Sequence, residues 1–224
     1  MAKPTVKLFD AYYDTALDVE ALIVLSGTKS KVVCLDTSSF QKVFFEGKNF
    51  DYDMGRLSAG TIQKVTFTDP DGAPLQMLSG LRIDPGQLAG IDMSEFTLSL
   101  AVRLAASGLK YIGTNQEDTF TASNGNDILN GRGSDDELQG GEGRDVLIGG
   151  GGNDTFIFAA GMGRDTINDF DADGGGAAPD FIQATFASAD ISQSGKNTIV
   201  DFGNGDIFVL LKVNAADVTS ADFV

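Results

Sequence analysis

The stretch that decides the fold is Gly140-Gly-Glu-Gly-Arg-Asp-Val-Leu-Ile148, followed directly by Gly149-Gly-Gly-Gly-Asn-Asp-Thr-Phe-Ile157. Both nonapeptides have glycine at positions 1, 2 and 4, aspartate at position 6 and a large apolar residue at position 8. A unit of this size cannot bury its apolar side chain alone, so it must stack on neighbouring units. The two nonapeptides therefore predict a repeat fold.

The same period extends to both sides of this stretch. Aspartates recur every nine residues, and a large apolar residue follows two places after each. The aspartates are Asp118, Asp127, Asp136, Asp145 and Asp154, and the apolar residues are Phe120, Leu129, Leu138, Leu147 and Phe156. A sixth unit with Asp165 follows an insertion of Phe158 and Ala159, which we interpret as a closing or capping turn. A flexible glycine-rich linker is the alternative, but it has no reason to keep two residue types in phase.

The composition of the unit predicts a cation site. Glycines permit positive φ and close backbone approach, so carbonyl oxygens can converge while the aspartate adds a carboxylate. Oxygen cages of this kind suit calcium better than magnesium, and zinc and copper prefer softer ligands. If two nonapeptides form one turn, aspartates 18 residues apart pair across turns, for example Asp127 with Asp145. Asp118 with Asp136 and Asp136 with Asp154 are the other pairs, and each pair is predicted to clamp one Ca²⁺ ion.

The candidate metal ligands are the repeat aspartates, Asp165 included, and the loop glycines Gly125, Gly131, Gly133, Gly140, Gly141, Gly143, Gly149, Gly150, Gly152 and Gly163. A second acidic loop places Asp169, Asp171, Asp173 and Asp180 at positions 1, 3, 5 and 12 of an EF-hand-style pattern. These four are further candidate ligands. Because the flanks of this loop read as strands, an ordinary acidic surface loop is the alternative.

The repeats resemble the RTX (repeats-in-toxin, haemolysin-type calcium-binding) family over roughly residues 111–224. The resemblance implies a right-handed parallel β-roll, calcium between successive turns, and export by a type I secretion system to an extracellular or cell-surface location. The resemblance implies no single activity, because the same repeats occur in proteins with many different activities. The end Ala221-Asp-Phe-Val224 is similar to the family's uncleaved secretion signal, with a frayed last strand as the alternative.

Charge and composition narrow the class of partner. The chain has 16 basic and 32 acidic residues, a net charge of −16, which disfavours nucleic acid and favours cations. Histidine is absent, which excludes Ser-His-Asp and Cys-His nucleophile arrangements and His-Glu-x-x-His zinc sites. No apolar run approaches the length of a membrane span. Cys34, the single cysteine, lies in an apolar run and is predicted to be a buried thiol.

Residues 1 to about 110 have a different texture. Short strand-like runs alternate with turn signals, which predicts a β-rich module, with a sandwich as one form of it. The runs are Leu22–Leu25, Lys31–Leu35, Lys42–Phe45, Thr61–Thr68 and Leu75–Leu78. Asp92 and Glu95 indicate the start of a short helix that ends at Gly108 and caps the open edge of the roll.

An activity for this module is not evident from its residues. Without histidine, the remaining acid-base option is a carboxylate pair, for which Glu46, Asp51 and Asp53 are candidates, although carboxylates in a turn-rich stretch are more often solvated. Clustered aromatics form either a binding platform for sugar or protein or, more commonly, core. They are Tyr12, Tyr13, Phe44, Phe45, Phe50 and Tyr52. We assign no catalytic residue.

Together these patterns predict a mainly β protein in three parts. Residues 1–110 form a β-rich module, 111–170 a calcium-binding parallel β-roll, and 171–224 a C-terminal β cap with a type I secretion signal. The predicted function is that of a secreted calcium-binding protein whose roll folds on extracellular calcium and which acts as a binding, adhesion or matrix component. A small secreted enzyme acting on polysaccharide is the alternative. The expected partners are calcium ions, the secretion machinery and a polysaccharide or cell-surface ligand.

Overall fold

The computed structural model describes residues 23–27, 31–35, 42–53, 56–69, 71, 73–83, 108–172 and 179–224. The chain divides into two compact units, Met1–Ala105 and Ala106–Val224. The described part is almost entirely β, and its helices are two single 3-10 turns, Phe186–Ser188 and Ser220–Asp222. None of these described helices is long and apolar enough to cross a membrane. The capping helix predicted between Asp92 and Gly108 lies outside the described residues.

The first unit confirms the β-rich prediction. Its described strands are β1 (Ile23–Gly27), β2 (Lys31–Leu35), β3 (Lys42–Asp53), β4 (Arg56–Thr68) and β5 (Pro74–Ile83), each antiparallel to the next. The hairpin of β3 and β4 is longer than predicted, because β-bulges such as that between Glu46 and Gly47 keep the polar stretch paired. Buried apolar residues include Phe45, Ile62 and Leu78. The described strands of this unit form one sheet.

The second unit contains short strands that follow the nonapeptides. They are β6 (Lys110–Ile112), β7 (Thr119–Thr121), β8 (Asn124–Gly125), β9 (Ile128–Gly133), β10 (Glu137–Gln139), β11 (Glu142–Gly143), β12 (Val146–Gly151), β13 (Thr155–Ile157), β14 (Arg164–Ile167), β15 (Phe181–Gln183), β16 (Asp190–Ser194), β17 (Asn197–Gly203) and β18 (Asp206–Leu210). The order β6-β9-β12-β14-β18 forms one parallel sheet, which β17 and β16 extend as antiparallel strands. The order β7-β10-β13-β15 forms a second parallel sheet. The pair β8 and β11 lies in the loops.

The register of these sheets confirms a parallel β-roll with two nonapeptides in each turn, about three turns over residues 110–167. Phe120 aligns with Leu138 in the second sheet, and Leu129 aligns with Leu147 in the first, 18 residues apart in both cases. All four side chains are buried, with at most 3% of their surface exposed. The apolar residue of every unit therefore fills the space between the two sheets, as the requirement for stacking predicts.

The insertion of Phe158 and Ala159 changes the register step from 18 to 20 residues, so that Leu147 aligns with Ile167. Phe158 stacks on Phe202 at a centroid distance of 4.0 Å. Phe202 lies in β17, one strand of the antiparallel hairpins that follow the roll. Phe158 thus contacts the segment that closes the sheet, which agrees with the interpretation of the insertion as a closing turn.

The last residues of the chain are paired with the roll. Phe223 forms a parallel bridge with Ile182 in β15, and the amide of Val224 donates a hydrogen bond to the carbonyl of Ile182 at 3.1 Å. A capping box between Thr219 and Asp222 fixes the preceding turn. This segment is therefore an additional strand position at the edge of the second parallel sheet.

Candidate metal centre

The repeat aspartates form two buried columns, one on each side of the roll. Column one contains Asp118, Asp136 and Asp154, and column two contains Asp127, Asp145 and Asp165, all at most 6% exposed. After the first aspartate of each column, every Oδ1 accepts a hydrogen bond from the backbone amide of the preceding aspartate in its column, whereas the Oδ1 of Asp127 accepts the amide of Leu109 at 2.7 Å. The amide of Asp118 donates to Asp136 at 2.8 Å, and that of Asp127 donates to Asp145 at 2.8 Å. The structure therefore brings together the aspartates predicted to pair, through carboxylate-to-amide contacts.

The second carboxylate oxygen is the unusual feature of these columns. Five Oδ2 atoms are buried and have no hydrogen-bond partner among the described residues: those of Asp127, Asp136, Asp145, Asp154 and Asp165. A buried polar atom without a partner costs about 1–3 kcal/mol, and more when it is charged. Such a carboxylate must either bind a proton or face a cation, so these five atoms mark the places where a hard cation fits.

Glycine at position 1 makes room for each carboxylate. A Cβ atom there would collide with the Oδ2 atom of the aspartate five residues later in the same loop. This holds for Gly131 with Asp136, Gly140 with Asp145, and Gly149 with Asp154. The glycine and the aspartate of one nonapeptide are therefore a matched pair, and position 1 shapes the loop around the oxygen atom that lacks a partner.

Glycines at positions 2 and 4 bring successive loops together. Gly141 and Gly143 have φ values of 84° and 148°, which side chains rarely adopt. A Cβ atom at either residue would meet a carbonyl oxygen of the previous turn, that of Ser123 or Gly125. Carbonyl oxygens therefore face the next loop along the roll. Among the described residues no three acidic side chains converge, so backbone carbonyls must supply most ligands of a cation, as calcium permits.

The loop 131–136 has non-glycine residues with positive φ at these positions, and it provides a prediction. Arg132 occupies position 2 of its unit with a φ of 85°, where the three following units have glycine. A left-handed conformation costs an L-residue about 1–2 kcal/mol, so Arg132→Gly is expected to stabilise the roll by about 1 kcal/mol. Urea unfolding at one saturating calcium concentration measures this. Arg144, which has no positive φ, is the matched control, and Arg144→Gly should lower stability instead. A loss of stability in both variants would contradict the assignment of strain to Arg132.

Burial raises the pKa values of Asp127, Asp136, Asp145, Asp154 and Asp165 when no cation is bound. The pKa of Asp136 and of Asp145 rises from 3.8 to about 7, and the charges of neighbouring aspartates in the same column add to the effect of burial. Burial also raises the pKa of Asp154 and of Asp165 to about 6, with smaller contributions from the charges of Asp169 and Asp135 on Asp154 and of Asp206 on Asp165. Above pH 7 the calcium-free columns therefore carry buried, mutually repelling charges that a divalent cation would neutralise.

These pKa values predict opposite effects of pH with and without calcium. A carboxyl group whose pKa is higher in the folded than in the unfolded chain stabilises the fold at low pH, and this contribution disappears as pH rises through about 7. In chelator, far-UV circular dichroism should show more β-structure at about pH 4.5 than at about pH 8, because these pH values lie below and above the raised pKa values of the aspartates. With calcium, affinity should fall below pH 7 because protons compete for the ligands. Equal β-structure at both pH values in chelator would contradict the prediction.

The acidic loop that follows the roll is flanked by strands β14 and β15, and not by the helices of an EF-hand. Both oxygens of Asp169 accept backbone amides, from Gly149 at 3.1 Å and Gly150 at 3.0 Å. Asp180 continues column one, because the amide of Asp154 donates to its Oδ1 at 3.0 Å. With Asp171 these residues line an open cleft of about 460 Å³, and Asp173 lies outside the described residues. The calcium ion suggested for this loop stays a prediction.

Sequence reasoning missed Asp206, which is 6% exposed and closes column two. Its two oxygens accept the amides of Gly161 at 2.8 Å and Gly163 at 2.9 Å. A signal was present in the sequence, because Phe208 follows Asp206 by two places, as the apolar residue does in every nonapeptide. The glycines before Asp206 fall outside the period of nine, and a search for the period alone passes over it.

Few of the candidates in the first unit can be placed with their side chains. Glu46 forms an ion pair with Lys64 at 3.2 Å. Phe45 is buried, and the ring of Phe44 lies 4.8 Å from the ammonium nitrogen of Lys31. The side chains of the remaining candidates lie outside the described part of the molecule: Cys34, Asp51, Asp53, Tyr12, Tyr13, Phe50 and Tyr52.

A comparison with protein families agrees with this geometry. A family model described as the RTX calcium-binding nonapeptide repeat, in four copies, matches residues 112–145 and 130–167. Residues 112–167 are RTX calcium-binding repeats. The repeats account for the glycine loops and for both aspartate columns up to the sixth unit, and the cofactor of these RTX repeats is Ca²⁺.

The chain is also similar to three solved structures of bacterial proteins. The extracellular lipase LipA from Serratia marcescens is 16% identical with a TM-score of 0.38, and the match covers 91% of this chain and 30% of the lipase. The AlgE6R3 subunit of a mannuronan C5-epimerase from Azotobacter vinelandii is 25% identical with a TM-score of 0.35, covering 50% of this chain and 80% of the subunit. The AlgE6R2 subunit is 28% identical with a TM-score of 0.36, covering 50% and 89%. The chain thus spans less than a third of the lipase. No curated protein matches it.

Proposed function

We propose that this chain is a secreted protein whose roll folds when its RTX repeats bind extracellular calcium. The observation that supports this most directly is the set of five buried Oδ2 atoms that have no partner among the described residues. At neutral pH the calcium-free columns concentrate negative charge inside the roll, which opposes folding. Calcium that binds only the folded roll stabilises it by mass action, so the ion decides whether the roll folds.

The dependence of folding on calcium also supports a secreted location. Extracellular calcium modules bind the ion at about 10⁻⁴ to 10⁻³ M, well above the concentrations that cytosolic buffers hold. Inside the cell the roll would stay unfolded and suited to passage through a type I secretion system, and outside it would fold. The single cysteine excludes an intrachain disulfide, so the ion is the available means of stabilising the roll after export.

The test is far-UV circular dichroism of the purified chain during a calcium titration, with magnesium as the control. We expect a cooperative gain of β signal with calcium and none with magnesium, because magnesium demands octahedral geometry and keeps its waters. A β signal that is complete in chelator at pH 8, or one that magnesium restores equally well, would overturn the proposal.

We further propose that the protein is a binding component for an acidic polysaccharide. Arg144 and Arg164 occupy equivalent positions one turn apart, because Gly143 bridges to Gly163 and Val146 aligns with Thr166. Both arginines are exposed, and within the described part of the chain neither guanidinium forms an ion pair or a hydrogen bond. Adjacent like charges repel, and the carboxylates of a uronate polymer would relieve that repulsion. Calcium in the loops would also lower the negative charge around them.

This part of the proposal is tested by pull-down on immobilised polyuronate, with a neutral polysaccharide as the reference, in calcium and in chelator. We expect retention on the acidic polymer in calcium only, and loss of retention in the double variant Arg144→Gln with Arg164→Gln. Arg132→Gln removes an equal charge from another exposed position and should retain binding. Equal retention of all variants would contradict a role for this arginine pair.

A further inference from the structure

The aspartates at the two ends of column one differ from those in its middle. In column one, which continues to Asp180, the Oδ2 atom of the first and of the last carboxylate accepts a hydrogen bond from a backbone amide nearby in sequence. The amide of Thr114 donates to Oδ2 of Asp118 at 2.6 Å, and the amide of Asp171 donates to Oδ2 of Asp180 at 2.9 Å. The Oδ2 atoms of Asp136 and Asp154 between them have no such donor in the described structure. The same residue type thus occupies two environments within one column.

The C-terminal end of each column also has a carboxylate that accepts two amides from the last glycine loop. Asp206 holds the amides of Gly161 and Gly163 in column two. Asp169 holds the amides of Gly149 and Gly150 in column one. In the interior of the roll the next turn lies against these loops, whereas at the end a single side chain takes its place. Buried amides that would otherwise lack acceptors are satisfied in this way.

These contacts divide the aspartates by role. A carboxylate oxygen that accepts an amide already has a donor carrying partial positive charge, so it gains less from a cation than an oxygen with no donor. Hydrogen bonds of this kind do not require metal, and they hold the terminal loops in shape at any calcium concentration. The spacing of aspartate and apolar residue therefore identifies which aspartates belong to a column. An Oδ2 atom without a partner identifies which of their loops can bind metal.

We propose that calcium binds only in the five loops 122–127, 131–136, 140–145, 149–154 and 160–165, and that four aspartates outside these loops are caps. Asp118, Asp169, Asp180 and Asp206 position the terminal loops without coordinating the ion. This inference rests on the proposed calcium-dependent folding. It adds which residues coordinate the ion and which ones only hold the loops at the ends of the site. Aspartate therefore has two functions in this roll, calcium ligand and cap, and replacing it with asparagine at one position of each kind separates them.

The test compares Asp145→Asn with Asp206→Asn. The free energy of unfolding is measured with urea at a series of free calcium concentrations, and its slope against the logarithm of calcium concentration counts the ions released on unfolding. Asp145→Asn removes an unpartnered oxygen and is expected to lower the slope. Asp206→Asn places an amide group against two amide donors and is expected to displace the line to lower stability with the slope unchanged.

Three outcomes are distinguishable. A wild-type slope of zero would overturn calcium-dependent folding itself. A positive wild-type slope that falls in Asp206→Asn would overturn its role as a cap, because the residue would then be a ligand. If Asp206→Asn does not fold in saturating calcium, Asp118→Asn at the opposite end decides the matter, since its cap is the amide of Thr114 and its slope should equal that of the wild type.

Discussion

Replacing Gly150 with alanine is expected to prevent the roll from folding at calcium concentrations that saturate the unmodified chain. Gly150 has a φ of 110°, and a Cβ atom there would meet the carbonyl oxygen, carbonyl carbon and Cα of Arg132 in the previous turn. All three contacts are with backbone, which cannot rotate away as a side chain can. Strain and overlap together should cost about 3 kcal/mol or more, a large fraction of the stability of a small domain.

The adjacent residue provides the control for this substitution. Gly151 has no positive φ, and a Cβ atom there would have nothing within 4 Å. Gly151→Ala should therefore leave the calcium midpoint of the far-UV circular dichroism signal close to that of the unmodified chain. The two variants differ only in which glycine of one pair carries the methyl group. Equal calcium midpoints for both variants would show that successive loops do not approach each other as closely as the structure has them.

The roll could be predicted from the sequence because its determinants are local and periodic. An aspartate followed after one residue by an apolar side chain defines both the buried acceptor and the inward-facing contact, and a step of nine places them on alternate sides. The register step of 20 residues to Asp165 and of 26 to Asp180 could not be predicted in the same way. It depends on where the closing hairpins dock, which is a tertiary contact with no fixed spacing in sequence.

The sequence predicts which residues form the candidate site better than it predicts how their oxygen atoms are arranged. Spacing alone indicates that Asp127 and Asp145 lie near each other, and it led us to expect two carboxylates facing one ion. In the structure one oxygen of Asp145 accepts the amide of Asp127, at 2.8 Å, and the other has no partner among the described residues. That division depends on side-chain rotamer and loop conformation. Asp180 matches position 12 of an EF-hand-style pattern in sequence, but in the structure its second oxygen accepts the local amide of Asp171.

A substitution of Asp136 by asparagine is expected to have opposite effects in calcium and in chelator. Asp136 is 1% exposed, its Oδ1 accepts the amide of Asp118, and its Oδ2 has no partner among the described residues. In calcium the variant loses a charged ligand, which should cost about 3 kcal/mol, as removal of one partner from a buried ion pair does. In chelator above pH 7 it loses a buried charge whose pKa burial has raised to about 7, so the calcium-free roll becomes more stable.

Asp135→Asn is the matched control, because it removes the same charge one residue earlier in the same loop. Asp135 is exposed, and its Oδ1 accepts the amide of Asn153 at 2.8 Å, a contact that the amide oxygen of asparagine can keep. Its substitution should change stability by less than about 0.5 kcal/mol in either condition. Urea unfolding of both variants, in saturating calcium and in chelator at pH 8, measures the four values. If Asp136→Asn destabilised the roll equally in both conditions, its carboxylate would be a structural hydrogen-bond acceptor and not a calcium ligand. If the change in the free energy of unfolding reverses sign between calcium and chelator only for Asp136→Asn, net charge alone cannot explain it, because both variants have the same net charge.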